Sequence, residues 1–432
     1  MDLLYLAAVV LFVLLLLLGS GVWVGLSLMG VAWAVMLVFT DAPAGDAMVT
    51  VIWSNASSWT LIALPMFIWM GEILNRTRLS EDLFKGLSPW LSGLPGGLLH
   101  INIVGSTLFA AISGSSVATL TTVGQMSIPE LQRRGYPESM IFGTLAGSAT
   151  LGLMIPPSLT LIVYGVTINE SITQLFMAGI VPGIVLASLF MGYVAIWGGT
   201  RAGSMVAAEQ KTSFGEKLRN SSFLFPIGGL ILVVIGSMYA GFATATEAAA
   251  LGVVGALLLA AVQGSLSAST LIESLLGAVR TSAMIALILM GATFLSLAMG
   301  FTGLPFALAE WIGTLGLTPV TLLLVLTLFY IIIGMFLDGI SSVVLTMAVI
   351  DPLIRASGID VIWFGIFLVV LVEMAQITPP IGFNLFVLQG ISGRPLGYLA
   401  RAAFPMFLIM LLMIGLLIAV PELALWLPQS MR

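Results

Sequence analysis

Long apolar stretches separated by short polar connections dominate the chain. They fall at roughly 2–19, 22–40, 55–74, 138–167 and 174–198, and again at roughly 223–242, 244–263, 275–300, 361–392 and 399–421. Each is near or above the ~20 apolar residues that cross a bilayer as a helix. Two further segments, 97–128 and 318–353, are too long for one crossing and carry helix breakers at their centres, so they predict re-entrant hairpins. Amphipathic pieces from Glu81 to Leu94 and from Pro305 to Gly313 precede the hairpins and are expected to lie in the interface plane. The hydrophilic stretch Gly199 to Ser222 divides the chain into halves.

The halves repeat one another. Ser113-Gly114-Ser115-Ser116 followed by Ile155-Pro156-Pro157-Ser158 recurs as Asp338-Gly339-Ile340-Ser341-Ser342 followed by Thr378-Pro379-Pro380-Ile381. Pro156 and Pro379 lie 223 positions apart, as do Pro182 and Pro405, and Ser115 and Ser341 lie 226 apart. One Ser/Gly cluster in a membrane helix commonly marks close helix packing, and one Pro a tolerated kink. Kinks have no reason to pair with hairpin tips twice in the same order, so the recurrence predicts the broken helices of a secondary transporter.

Composition agrees and excludes other classes. With 59% hydrophobic and 8% charged residues and a mean hydropathy of +1.16, the chain reads as a polytopic membrane protein. The net charge of −5 resides mostly in loops, and no basic patch suggests nucleic acid. Absence of Cys removes disulfides, thiolate metal sites and cysteine nucleophiles. No G-x-x-x-x-G-K-[ST] loop for ATP occurs. The first apolar segment follows Asp2 rather than a basic region, and is read as a retained span.

Five crossings and one hairpin per half make the halves inverted relative to each other. With the N-terminus outside, twelve of the 14 Lys and Arg residues fall on the cytoplasmic side, leaving Arg355 and Arg432 outside. The hairpins then enter from opposite faces, and their tips approach each other near the midplane.

Such a tip ends one half-helix and begins another, leaving free carbonyls on the first and free N–H groups on the second. Carbonyls suit a hard cation such as Na⁺, and positive helix starts suit an anionic substrate group. Pro157 and Pro380 each remove an N–H and free carbonyls one turn earlier. Two cation sites are therefore expected, one per repeat. Their candidate Na⁺ ligands are Ser113, Gly114, Ser116, Ile155 and Pro156 in the first and Asp338, Gly339, Ser342, Thr378 and Pro379 in the second. Candidate substrate contacts are Ser115, Ser116, Ser158, Asp338, Ser341, Ser342 and Asn384.

Ionisable groups inside spans sharpen the picture, because they are costly there. Asp338, on the second tip, is the leading candidate for charge compensation, and Glu373 lies one turn before Thr378. Glu72 and Glu247 stand near span ends, where solvated or capping carboxylates are common. No Lys or Arg falls in the binding region, so an anion would depend on helix starts and bound cations, tying substrate to ion. His100, the only histidine, is expected at the interface. The Trp residues cluster near span ends, as interface anchors do.

Ser113 to Gly124 (SGSSVATLTTVG), Ile155 to Gly165 (IPPSLTLIVYG), Thr246 to Gly252 (TEAAALG), and the segments FLDGISSVVLT and ITPPIGFNLFV resemble the large membrane subunit of tripartite ATP-independent periplasmic (TRAP) transporters, of the ion transporter superfamily. The resemblance runs from about residue 1 to 425. It implies an all-α elevator-type transporter with Na⁺ coupling in a bacterial inner membrane, not an enzyme. It implies two partners, a small membrane subunit of about four helices and a periplasmic substrate-binding protein that delivers an organic acid. The corresponding division is scaffold at 1–74 and 223–300, transport domain at 75–198 and 301–432, and an inter-repeat loop at 199–222. A single-component divalent anion:Na⁺ symporter of the same superfamily would also show paired hairpins, but its Ser-Asn-Thr tips are missing here. A membrane-embedded enzyme or ion-pump subunit is disfavoured by the lack of Cys, the single His and the absence of clustered carboxylates.

Overall fold

The computed structural model describes residues 3–200, 213–314, 317–380 and 382–430. Among them the protein is helical, with no strand. The first repeat opens with α1 (Leu3–Gly19), α2 (Val24–Phe39), α3 (Ala44–Ala56) and α4 (Ala63–Leu74), followed by the amphipathic α5 (Leu79–Leu91). It continues with α6 (His100–Ser113) and α7 (Ser116–Arg133), then α8 (Glu138–Ala149), α9 (Leu159–Ile168) and α10 (Ile172–Gly198). After α11 (Phe214–Ser221) the second repeat holds α12 (Phe225–Tyr239), α13 (Ala245–Val262), α14 (Ala268–Thr302) and α15 (Leu304–Thr314). It ends with α16 (Pro319–Gly334), α17 (Gly339–Ala356), α18 (Val361–Gln376), α19 (Phe383–Ser392), α20 (Leu396–Ala419) and α21 (Glu422–Ser430).

The expected hairpins and breaks are present. α6 and α7 pack on each other across Gly114–Ser115, and α16 and α17 across Met335–Asp338. The 138–167 stretch is α8 and α9, separated by a 3-10 turn (Thr150–Leu153) and Met154–Ser158; the 361–392 stretch is α18 and α19, interrupted after Gln376. Among the described residues, six helices are long and apolar enough to cross a membrane, or seven with one bent pair counted as a span.

Three places depart from the expectation. The span expected at 55–74 is preceded by α3, and the two segments meet at a 54° bend. α3 carries Asp46, Thr50, Ser54 and Asn55, too polar to register as part of an apolar run, yet Thr50, Ser54 and Asn55 turn their side chains onto backbone carbonyls within the helix. The 275–300 stretch is the middle of α14, whose 35 residues span roughly 50 Å; its polar first turns hid the start. α21 follows Pro421, where the apolar pattern had been read as ended.

Packing divides the helices. α2 packs on α14, α4 on α13 and α14, and α12 on α13. α8 packs on α6, α7 and α20, α9 on α17, and α18 on α16 and α17. The two groups meet mainly where α4 touches α6 and α14 touches α17. α5 is clasped by α11: the Trp90 indole N–H donates to Ser221 Oγ at 2.9 Å, and the Lys217 ammonium stands 5.6 Å from the Trp90 ring centre.

Candidate functional site

The first tip is held by close backbone approaches that only small residues allow. Gly114 ends α6 with φ 59°, in the left-handed region that glycine enters without a Cβ penalty. A Cβ there would stand 2.6 Å from the Pro157 carbonyl oxygen, and the Gly114 carbonyl accepts from Leu159 N–H at 3.4 Å. A Cβ on Gly152 would stand 2.8 Å from the Ser115 carbonyl, and one on Gly71 of α4 3.3 Å from Ser113 Cα. Hairpin tip and broken helix of the first repeat are therefore one packed unit, backed by α4.

Hydroxyl groups satisfy the exposed ends locally. Ser115 Oγ accepts from Ala118 N–H, capping α7, while Ser113 and Thr119 hydroxyls share a 3.0 Å bond. Ser158 caps α9 by accepting from Leu161 N–H and donates to the Leu153 carbonyl. Ile155 and Pro156 are buried within the break. In the second repeat, Asp338 caps α17: its Oδ2 accepts from Ile340 and Ser341 N–H at 3.2 and 3.4 Å. Thr378 donates to the Met374 and Ala375 carbonyls. Pro379 and Pro380 reach the surface.

Gln376, at the end of α18, joins these pieces. Its side-chain carbonyl accepts from Ser116 Oγ on the first tip at 2.6 Å, in a buried bond. A Cβ on Gly339 of the second tip would stand 3.0 Å from Gln376 Nε2, 2.8 Å from Val372 and 3.4 Å from Leu153. Both tips and both breaks thus converge on a few residues, though 260 positions separate Ser116 from Gln376. The sequence reading missed Gln376; its signal was an amide inside an apolar span, two residues before Thr378.

Several buried polar groups around this convergence are unpartnered. Ser342 Oγ, Thr160 Oγ1 and both polar atoms of Asn384 have no hydrogen-bond partner, and neither does either carboxyl oxygen of Glu373. Desolvated polar groups without partners are rare in folded proteins, which makes these residues candidates for contact with a ligand or ion. Asn384 lies in the first turn of α19, which packs along α7, with Ile391 beside Gly124. Ser341 and Ser342 stand in the first turns of α17, against which α9 packs. Among the described residues no group of three or more His, Cys, Asp and Glu could hold a metal, so a cation here would depend mainly on carbonyl and hydroxyl oxygens, with Asp338 as a single carboxylate.

The carboxylates near span ends have structural partners. Glu72 pairs with Arg76, which also approaches Glu273 at 3.9 Å, and Glu72 packs against Gly277. Glu247 completes a capping box with Thr244 at the start of α13. His100 is buried at 1% exposure, its Nε2 2.8 Å from the Pro95 carbonyl and its Nδ1 unpartnered. An apolar cavity of about 220 Å³ lies beside it against α10, away from the tips.

The model of the family described as the tripartite ATP-independent periplasmic transporter, DctM component, matches residues 9–423. The C4-dicarboxylate TRAP transporter large permease protein DctM of Pseudomonas aeruginosa is 32% identical over 404 residues, covering 93% of each chain. The sialic acid TRAP transporter large permease protein SiaM of Vibrio cholerae is 30% identical over 416 residues, 96% of each. The ectoine/5-hydroxyectoine TRAP transporter large permease protein UehC of Ruegeria pomeroyi is 29% identical over 418 residues, 96% of each. Among solved structures, the YdaH transporter of Alcanivorax borkumensis superimposes with a TM-score of 0.62 at 17% identity, covering 88% of each chain. That is a likeness of fold.

Proposed function

The chain belongs to the DctM component family of tripartite ATP-independent periplasmic transporters, and from that premise we propose that it imports an organic acid together with Na⁺. It is the large permease of a secondary transporter, not an enzyme. The observation that carries the proposal is the meeting of both tips and both breaks at Gln376, flanked by unpartnered Ser342 and Asn384. Backbone carbonyls at Ser113–Gly114 and Ile155–Pro156, and at Thr378–Pro379 beside Asp338, Gly339 and Ser342, are the oxygens that Na⁺ would use. The starts of α7, α17 and α19, with Ser115, Ser116, Ser341 and Asn384, would hold the carboxylate of the substrate.

The packing supports a scaffold of 1–74 and 223–300 and a transport domain of 75–198 and 301–432, moving as an elevator, since the tips belong to the second group and contact the first at few places. The N-terminus is assigned to the periplasm on the distribution of Lys and Arg, and the bacterial inner membrane follows from membership of the family. The working assembly adds a small membrane subunit and a periplasmic substrate-binding protein. The relatives' names cover C4-dicarboxylates, sialic acid and ectoine, and the unpartnered amide and hydroxyl groups suit a carboxylate without an arginine clamp. Uptake into proteoliposomes with the small subunit, scanning organic acids with and without the binding protein and a Na⁺ gradient, tests this. Uptake of one acid that needs inward Na⁺ and ignores ATP supports the proposal, and uptake indifferent to Na⁺ contradicts it.

A further inference from the structure

Glu373 is the one acidic side chain in the middle of α18, completely buried, with no partner for either carboxyl oxygen. Carboxylates at such depth normally meet a cation or several donors. Here no hydroxyl, amide N–H or cationic side chain lies within hydrogen-bonding distance. The corresponding residue of the first repeat, 223 positions earlier, is Thr150, whose hydroxyl donates to the Gly147 carbonyl of its own helix at 2.7 Å. The repeats therefore differ in chemistry at one matched position: a self-satisfied hydroxyl in one, an isolated acid in the other.

The elements packed on α18 offer no counter-charge. Their titratable and charged groups are Tyr164 on α9, Tyr193 on α10, Tyr330 on α16, Asp351 and Arg355 on α17, Tyr398 and Arg401 on α20, and Glu422 on α21. Tyr164 donates to the Val361 carbonyl at the far end of α18, and Tyr330 is bonded to Thr346. Arg355 is engaged with Asp351 and Glu170. None reaches Glu373. The surface of the chain comes close by another path: α18 ends one turn later, Thr378 is half-buried, and Pro379 and Pro380 are exposed.

We propose that Glu373 is a proton-binding site of the second repeat, loading and unloading through the break after Gln376. The carboxylate takes a proton from water reaching Thr378–Pro380 and returns it there, so no other reactant is needed. A single acid with no hydroxyl or amide within hydrogen-bonding distance suits a proton better than a metal cation, which calls for several oxygens around it. The inference uses the openness of the second break, not Na⁺ coupling, and either can fail without the other.

The test is infrared difference spectroscopy on the full chain in lipid, titrated from about pH 5 to about pH 10 to span the carboxyl range and well above it. Wild type should show a protonated-carboxyl C=O band that declines as pH rises and is missing in Glu373→Gln, whose amide keeps the volume and neutrality of the protonated acid. If that variant does not fold, Glu373→Asp identifies the band by moving its frequency. A Glu373-dependent band that never declines with pH would make the group a permanently neutral packing residue and overturn the proposal. A carboxylate band alone, shifting with Na⁺, would overturn it in favour of a metal cation.

Discussion

The two Pro-Pro breaks are nearly the same in sequence and unlike in setting. Residues 150–159 of the first repeat are buried throughout, held between the first tip and α10, where Gly179 and Gly183 bring the helix against Met154 and Ile155. In the second repeat Pro379 and Pro380 are exposed, Phe336 beside the second tip is 59% exposed, and Gly382 turns back onto the Thr378 carbonyl rather than onto another helix. A repeated motif therefore fixes where the chain breaks, while its neighbours decide whether the break is sealed. One sealed and one open break in a duplicated architecture is the appearance expected of a single state of an alternating cycle.

The largest expected effect comes from forcing the sealed half apart. Gly114→Ala places a Cβ against the Pro157 carbonyl at a left-handed position, which should cost about 1–3 kcal/mol and abolish transport. Gly393→Ala at φ 68° meets nothing within 4 Å, so it should carry the backbone cost alone, about 1 kcal/mol, and keep transport. Thermal unfolding and uptake on both variants separate the close approach from the backbone preference. Equal losses would mean that the tip is not sealed by the break.

Next is the link between the halves. Ser116→Ala and Gln376→Leu should each destabilise by about 1 kcal/mol and together by less than the sum, because they remove one shared bond. Strict additivity in a double-mutant cycle would detach Gln376 from the first tip.

Asp338→Asn then tests the open half. Asn caps a helix about as well as Asp, so stability should move by only a few tenths of a kcal/mol, while apparent Na⁺ affinity should fall about tenfold or more through loss of the charge. Unchanged Na⁺ dependence would leave Asp338 a helix cap and nothing further. The smallest effect is expected from Glu72→Gln, because the Glu72–Arg76 pair is partly exposed and such pairs contribute about 0–1 kcal/mol; uptake should stay near wild type.

Much of this was legible in the sequence, for identifiable reasons. Gly114, Asp338 and the Pro pairs act on their own backbone, so the hairpins, both breaks and the structural roles of Glu72, in an ion pair, and Glu247, in a cap, could be read from local chemistry. What joins them could not. Gln376 matters because residue 116 folds onto it, and His100 is buried with its ring turned onto the Pro95 carbonyl, relations that exist only in three dimensions. α3 escaped notice because its polar side chains bond to their own helix, which hides polarity that hydropathy counts in full.

Radiolabelled Na⁺ binding to the purified chain in a K⁺ background asks whether the converging tips bind Na⁺. Saturable binding is expected, weakened in Asp338→Asn and in Ser342→Ala and unchanged in Glu72→Gln. Absence of saturable binding in a folded wild-type protein, or equal binding by all three variants, would contradict it.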